Sequence, residues 1–194
     1  STNSVFYNTT TKELTYTTGG GGTTLPDGTA YSNYAYWDGA AWNTETGASV
    51  HIGVNAGQTS QGGTAVAIGN LAGRQSQGLN AVAIGPVAGQ TSQGSAAVAV
   101  GNAAGIQSQG ARSVAVGNSA GRFSQNDDCV AVGSSAGRTE QGQYAVAVGF
   151  EAGIQSQGDS SVALGDSAGK TSQGIFAVAL GFSAGSQAQG TEAV

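Results

Sequence analysis

Two side chains and one short motif are the only features of this sequence whose types could carry out chemistry. His51 is the sole histidine and Cys129 the sole cysteine of the 194 residues. A histidine can act as a general base or hold a metal ion, but no second catalytic group stands beside His51 in the sequence. The segment Gly165–Thr171 is similar to a phosphate-binding loop, yet three residues separate its glycines where such a loop needs four. We therefore expect no enzyme and no cofactor, and a buried neutral thiol at Cys129.

Composition narrows the possible partners. Only 17 residues are charged, and the net charge of −5 leaves the six basic residues scattered singly. A nucleic-acid partner is not expected, because no basic patch is present to hold a phosphate backbone. No apolar run approaches the roughly 18 residues that a membrane span needs, so membrane insertion of this fragment is not expected either. The 34 glycines would suggest low complexity unless a strict period organises them.

Such a period is present from Ser49 onward. The sequence repeats every 16 residues without insertion or deletion, and nine repeats fill residues 49–192. The unit is A-V-A-I-G-x-x-A-G-x-x-S-Q-G-x-x, and its positions are numbered here from 1 at Ser49, so that Val50 occupies position 2. The chain stops at Val194, early in a tenth repeat, which indicates a truncated C-terminal end.

The repeat predicts an all-β fold. Alternation of Val and Ile with Ala is typical of a strand, and the spaced glycines indicate tight turns. We expect a parallel β-solenoid (β-roll) of nine 16-residue coils, with one short strand at A-V-A-I and another around G-x-x-S-Q. Residues 16 apart then become neighbours, so Arg112 should pair with Asp128, and the nine glutamines at position 13 should form a ladder along one edge.

The two faces of the A-V-A-I strand predict an assembly. We expect Val and Ile to fill the interior and the small residues to face outward, where an identical chain would pack closely against them. This predicts a parallel homotrimer with alanines near its axis: Ala67, Ala83, Ala99, Ala115, Ala131, Ala147, Ala163 and Ala179. His51 takes this register in the first repeat, where three copies would converge as a weak anion or metal site or merely plug the end. Alanine tolerated on an exposed face is the alternative.

The A-V-A-I-G and S-V-A-V-G boxes over residues 49–194 resemble the head repeats of YadA-type trimeric autotransporter adhesins. This resemblance implies a left-handed β-roll that assembles as a homotrimer. The invariant spacing of 16, the A-G-x-x-S-Q-G half and the segment Val5–Tyr16 look more like fibre proteins of phages and large DNA viruses. These likenesses together imply an extracellular fibre that attaches to a host receptor, which is a glycan or a protein. A virion surface is the first expected location, and a bacterial surface is the second. A bacterial adhesin head is the alternative.

Residues 1–48 differ from the repeats and form a separate aromatic-rich unit. Val5–Asn8 and Glu13–Thr17 are predicted strands, Asp38-Gly39 predicts the turn of a second hairpin between Tyr34–Trp37 and Ala40–Trp42, and Gly19–Gly22 is a predicted hinge. We expect this unit to form a neck or to cap the open end of the roll. Sugar binding by stacking on its aromatic rings is the alternative.

Large apolar side chains gather in the variable turns of the C-terminal half. Four of them form candidate binding-surface pairs two repeats apart: Tyr144, Phe150, Phe176 and Phe182. Packing against a neighbouring subunit is the other interpretation. Two further solenoid functions remain less favoured. An ice-binding face would need an unbroken row of threonines, and acyltransferases of the hexapeptide type, which use a histidine base, have coils built from multiples of six residues.

Overall fold

A computed structural model describes residues 4–8, 10, 13–17, 34–37, 42–44 and 47–194 of the chain. The chain divides into two units, residues 1–47 and 48–194, and each is treated by itself. All regular structure within the described residues is β-strand.

The N-terminal unit contains two pairs of antiparallel strands. Strand β1 (Ser4–Asn8) pairs with β2 (Glu13–Thr17), as predicted. Strand β3 (Ala35–Trp37) pairs with β4 (Trp42–Thr44), which places Trp37 opposite Trp42 and starts the last strand later than expected. The predicted turn at Asp38-Gly39 and the predicted hinge at Gly19–Gly22 lie outside the described residues. A capping role for this unit stays a prediction.

The repeats form a parallel β-solenoid of about eight turns, which confirms the predicted fold class. Each of the first eight coils gives one strand to each of two sheets, and neighbouring strands pair in register 16 residues apart. The first sheet has nine strands: Val50–Ile52 (β5), Val66–Ile68 (β7), Val82–Ile84 (β9), Val98–Val100 (β11), Val114–Val116 (β13), Val130–Val132 (β15), Val146–Val148 (β17), Val162–Leu164 (β19) and Val178–Leu180 (β21).

The second sheet has eight strands: Thr59–Gln61 (β6), Gln75–Gln77 (β8), Thr91–Gln93 (β10), Gln107–Gln109 (β12), Phe123–Gln125 (β14), Thr139–Gln141 (β16), Gln155–Gln157 (β18) and Thr171–Gln173 (β20). The ninth repeat adds only an isolated bridge between Gln173 and Gln189. Nine coils were predicted, and the last one is therefore incomplete in the second sheet.

Two tight turns form corners at the ends of each first-sheet strand. In the first repeat the Ala56 amide donates to the Gly53 carbonyl at 3.2 Å, and the next strand is preceded by a turn in which the Ala65 amide donates to Gly62 at 3.0 Å. The third residue adopts a left-handed backbone in the turns after the strands, as at Asn55 with φ of 56°, and in the turns before them from the second repeat onward, as at Asn80 with φ of 57°. These are type II turns, and they leave positions 6 and 16 at the two corners that bound each strand.

The glycines of position 14, which begin the second turn, also lie close to the next coil. A Cβ built on Gly110 would lie only 2.3 Å from the carbonyl carbon of Asn126 in the next coil, so close backbone approach excludes a side chain. Asn126 is the one non-glycine in this row, and it does not adopt a left-handed backbone. Its amide instead makes a longer hydrogen bond, 3.1 Å to Gln141, than its counterparts at 2.7–2.9 Å.

The interior is lined by alanine, so the expectation that Val and Ile fill it is wrong. Alanines of positions 3 and 8 form one continuous buried cluster, while the Val and Ile of the same strands point outward. Space explains the inversion: a Cβ on Gly89 would sit 3.2 Å from the Cβ of Ala83, so the two layers are too close for a longer side chain.

This geometry overturns the proposed trimer axis of alanines. A side chain that is already fully buried within its own chain has no surface left for a partner. The correction applies to all eight: Ala67, Ala83, Ala99, Ala115, Ala131, Ala147, Ala163 and Ala179, none more than 1% exposed. His51 pairs with Ala67 in this inner row, so it lies at the first-coil end of the chain's own core and not on a shared axis.

Candidate functional site

The most distinctive surface of the solenoid is the outer side of the first sheet. It is formed by positions 2 and 4 of every first-sheet strand, from Val50 and Ile52 to Val178 and Leu180, and is called here the outer apolar face. Its valines are half-buried, while Ile84, Leu164, Ile52 and Leu180 are 37%, 42%, 55% and 69% exposed. Because strands alternate their side chains, the buried alanines between them force both rows onto one side.

The chemistry of this face permits hydrophobic association and little else. Its two rows contain only Val, Ile and Leu in the nine strands, with no charged or hydrogen-bonding side chain. Parallel strands place successive coils about 4.8 Å apart, so the rows are continuous. A contiguous apolar surface of this kind marks an interaction site in a soluble protein.

The four sequence-predicted aromatic residues lie at the borders of this face. Tyr144 and Phe150 occupy the two corners that bound β17, and Phe176 and Phe182 occupy the corresponding corners of β21. They are 57%, 52%, 58% and 81% exposed. The structure thus brings each pair to opposite ends of one strand and widens the apolar face there.

The outer side of the second sheet is polar. Position 12 is serine in seven of its eight strands and Glu140 in the other, and its residue is exposed with a left-handed φ of 49–57°. Threonine alternates with other residues at position 11, and Thr139 donates its hydroxyl to the Ile154 carbonyl at 2.9 Å. The face therefore lacks the unbroken threonine row of an ice-binding surface.

The glutamine ladder lies inside the solenoid, whereas we expected it along an edge. Gln93 is 2% exposed and donates from Nε2 to the Val82 carbonyl at 2.8 Å, which ties the second sheet to the first. It also donates to Oε1 of Gln109, the next residue of the ladder, at 3.2 Å. Glycine at position 9 leaves room for this amide, since a Cβ on Gly89 would lie 2.6 Å from Oε1 of Gln93.

The other side chains that could take part in chemistry, Cys129 and Lys170, make contacts within the fold. The Cys129 thiol is buried and donates to the Gly142 carbonyl at 2.8 Å, and burial raises its pKa to about 11, which confirms the expected neutral thiol. Within the described residues, no group of three or more His, Cys, Asp or Glu side chains is placed to hold a metal ion. Lys170 of the loop-like motif pairs with Glu151 at 2.7 Å.

The predicted pair between neighbouring coils is confirmed. Arg112 donates from Nε and Nη2 to the two carboxylate oxygens of Asp128 at 2.6 and 2.7 Å. This bidentate hydrogen bond lowers the pKa of Asp128. The pair lies at a corner on the same side as Tyr144, on the border of the outer apolar face.

The part of the chain that the structure describes contains no helix long and apolar enough to cross a membrane. No family model, curated protein or solved structure matches the chain.

Proposed function

We propose that this chain is a non-enzymatic segment of a fibre or adhesin that assembles as a parallel homotrimer through its outer apolar face. The observation that carries the proposal is the pair of uncharged Val and Ile rows that run along the whole solenoid with their side chains outward. Exposing such apolar rows to water is energetically unfavourable. Burying a Val, Leu or Ile side chain completely contributes roughly 1.5–3 kcal/mol.

A second copy of the same chain fits this face better than an unrelated partner. Its coils have the same spacing, so each Val and Ile meets an equivalent side chain at every level of the stack. A closed ring with all apolar faces turned inward leaves no such face in water. The number three comes from the resemblance to trimeric adhesin heads and fibres, and the homotrimer is now proposed through Val and Ile in place of alanine.

The assembled rod would present its polar second sheet and its N-terminal aromatic unit to the surroundings. We propose that it stands on a virion surface, or on a bacterial surface as the second option, and attaches to a glycan or protein receptor of a host. This role rests on the resemblance of the repeats.

The molar mass of the purified 194-residue chain tests the assembly. Size-exclusion chromatography with multi-angle light scattering should give about three times the 18.9 kDa of one chain. A monomeric mass at micromolar concentration would remove the basis of the proposal. The attachment role is tested separately by applying the fluorescently labelled trimer to a glycan array and to immobilised host-cell surface proteins, where saturable binding is expected.

A further inference from the structure

We propose that the corner residues of the first sheet form matched pairs between neighbouring subunits, and that Tyr144 with Phe150, and Phe176 with Phe182, fix the level at which the subunits align. This inference rests on the proposed assembly through the outer apolar face. It identifies the residue that each corner residue contacts in the neighbouring subunit. It also identifies the residues that fix how the subunits are aligned along the stack.

The rows of Val and Ile cannot set the register alone. They repeat with little change in every coil, so displacing one subunit along the rod by a whole coil would still place an apolar row against an apolar row. Register is weakly specified wherever a surface repeats identically. Some other feature, different from coil to coil and adjacent to the face, must distinguish one level from the next.

The corner residues have this property, and within one chain they are well separated. Position 16 lies just before each first-sheet strand and position 6 just after it. Six residues of extended chain span roughly 20 Å, so Tyr144 and Phe150 are far from each other in one subunit. Both are more than half exposed.

Symmetry brings opposite corners together. When subunits are related by rotation about an axis parallel to the stack, with their apolar faces inward, all strands run around the axis in the same sense. The end of a strand in one subunit then meets the beginning of the corresponding strand in the next, at the same level. Such a contact joins two different patches of the surface, as in any cyclic ring.

The residue types at the two corners agree strand by strand under this arrangement. Strands β17 and β21 have aromatic residues at both corners, and β5 has small apolar ones. Four strands have polar residues at both, and two combine Asn with Pro or Ala. In no strand do the corners carry like charges. The corner pairs, from β5 to β21, are Ala48/Val54, Thr64/Asn70, Asn80/Pro86, Ala96/Asn102, Arg112/Asn118, Asp128/Ser134, Tyr144/Phe150, Ser160/Asp166 and Phe176/Phe182.

A displacement by one coil destroys the agreement. Tyr144 would then lie beside Asp166 or Ser134, and Phe176 beside Asp166. Each aromatic ring would lose an apolar partner, and Phe182, which is 81% exposed in the single chain, would face Ser160 or Glu192. Paired aromatic rings add roughly 0.5–1.5 kcal/mol beyond the area that they bury, and a trimer repeats each pair at three boundaries.

Disulfide cross-linking tests the pairing directly. In the full chain with Cys129→Ala, the matched variant carries Tyr144→Cys and Phe150→Cys, and the control carries Tyr144→Cys and Asp166→Cys, one coil out of register. Diamide oxidises adjacent thiols to disulfides, and non-reducing gels report covalent species. We expect most matched chains to become covalent trimers, and control chains to stay single. A bond within one chain is excluded, because disulfides need Cα atoms within roughly 7 Å.

The outcomes separate this inference from the proposed function. If the control cross-links as well as the matched variant, or if neither does while light scattering still gives a trimer, the pairing is wrong and the assembly stands. If the mass is that of a monomer, the proposed assembly itself fails.

A charge exchange provides a second measurement that needs no disulfide. Tyr144→Lys alone should raise the dissociation constant of the assembly at least about tenfold, because a lysine would meet Phe150 of the neighbour. Adding Phe150→Glu should recover most of that loss by forming an ion pair across the boundary. A double variant that assembles no better than the single one would show that these corners are not adjacent.

Discussion

The two sheets of the solenoid are built from the same coils and share one interior, yet their outer sides are opposite in character. The first sheet turns Val and Ile outward, and the second turns Ser outward in seven of eight strands. Every coil passes through both sheets, so the stacking and the connections are common to them. The fold therefore tolerates a polar outer side, and the apolar one is a property of the first sheet alone, for which we propose a second copy of the chain as the partner.

The backbones differ as well. First-sheet strands pair through all three residues, as in Val98, Ala99 and Val100. In the second sheet only the outer two residues of each strand pair, and the central one, such as Ser92 with φ of 55°, adopts a left-handed conformation. A regular alternation of side chains is therefore found in one sheet only.

The largest expected effect comes from charging the outer side of each sheet in turn. Val114→Lys with Val116→Lys should abolish the proposed trimer, because unpaired charges buried in an interface cost several kcal/mol each, which corresponds to at least about a thousandfold weaker association. Light scattering reports the mass.

The matched control carries Gln107→Lys and Gln155→Lys on the exposed side of the second sheet, and it should remain trimeric. If the two pairs of lysines act alike, or if the first-sheet variant keeps its trimeric mass, the contrast between the sheets has no bearing on assembly.

The next effect concerns the inner row of the second sheet. Gln141 is fully buried and donates to the carbonyls of Val130 and Ala145 at 2.9 and 3.2 Å. Gln141→Met should lower the free energy of unfolding by about 1–3 kcal/mol, because buried acceptors lose their partner. This loss is measured by urea denaturation, followed by circular dichroism, in the variant with Val114→Lys and Val116→Lys, which we expect to be monomeric. The exposed Gln155→Met serves as the control, with a change within about 0.5 kcal/mol; equal losses would place the ladder's contribution elsewhere.

A similar comparison tests how tightly the buried alanines of the first sheet are packed. Ala131→Val should destabilise the fold by about 1–3 kcal/mol, since the interior has no space for two more methyl groups. A Cβ on Gly137 would already lie 3.1 Å from that of Ala131. Val130→Ala on the outer side should change monomer stability far less in the same denaturation experiment. A more stable Ala131→Val protein would mean that the larger side chain belongs inside after all.

The last effect is confined to alkaline pH and comes from Cys129, beside the first sheet. The pKa of Cys129 is raised from 9.0 to about 11 by burial, so the folded chain binds more protons than the unfolded chain between these values. Stability should therefore fall as pH rises from 9 to 11. Cys129→Ala, which restores the residue found in most repeats, should lack this component when denaturation is repeated across that range. Identical alkaline slopes in both proteins would contradict a buried thiol.

The sequence could predict the period, the strands and the contacts between coils, because all of these follow from residues 16 apart. The pairing of Arg112 with Asp128 is the clearest instance. The sequence could not decide which side of A-V-A-I faces inward by the usual preference for large apolar cores, since alternation alone is the same for either side. A usable signal was present: Ala at position 8 and Gly at position 9 are invariant in all nine repeats. Small residues in two facing rows require a thin interior.

The corner residues illustrate a second limit. Tyr144, Phe150, Phe176 and Phe182 were identifiable as exposed candidates from their variable registers. Their placement at both ends of β17 and β21 depends on the two turns of each coil, and these turns involve left-handed residues such as Glu151 after β17 and Ser183 after β21. Serine and glutamate give no sequence signal for such a conformation, as glycine would.

The bonds between coils give the rod a mechanical character. They run along the stacking direction, so tension along the rod is carried by a ring of hydrogen bonds at each coil boundary, with the boundaries in series. Strength is then set by the weakest ring. At the boundary between residues 113–128 and 129–144, the bonds from Asn126 to Gln141 and from Tyr144 to Asp127 are 3.1 and 3.3 Å, longer than equivalent bonds of 2.7–3.0 Å elsewhere. A single departure from glycine thus coincides with the boundary at which these two bonds are longest.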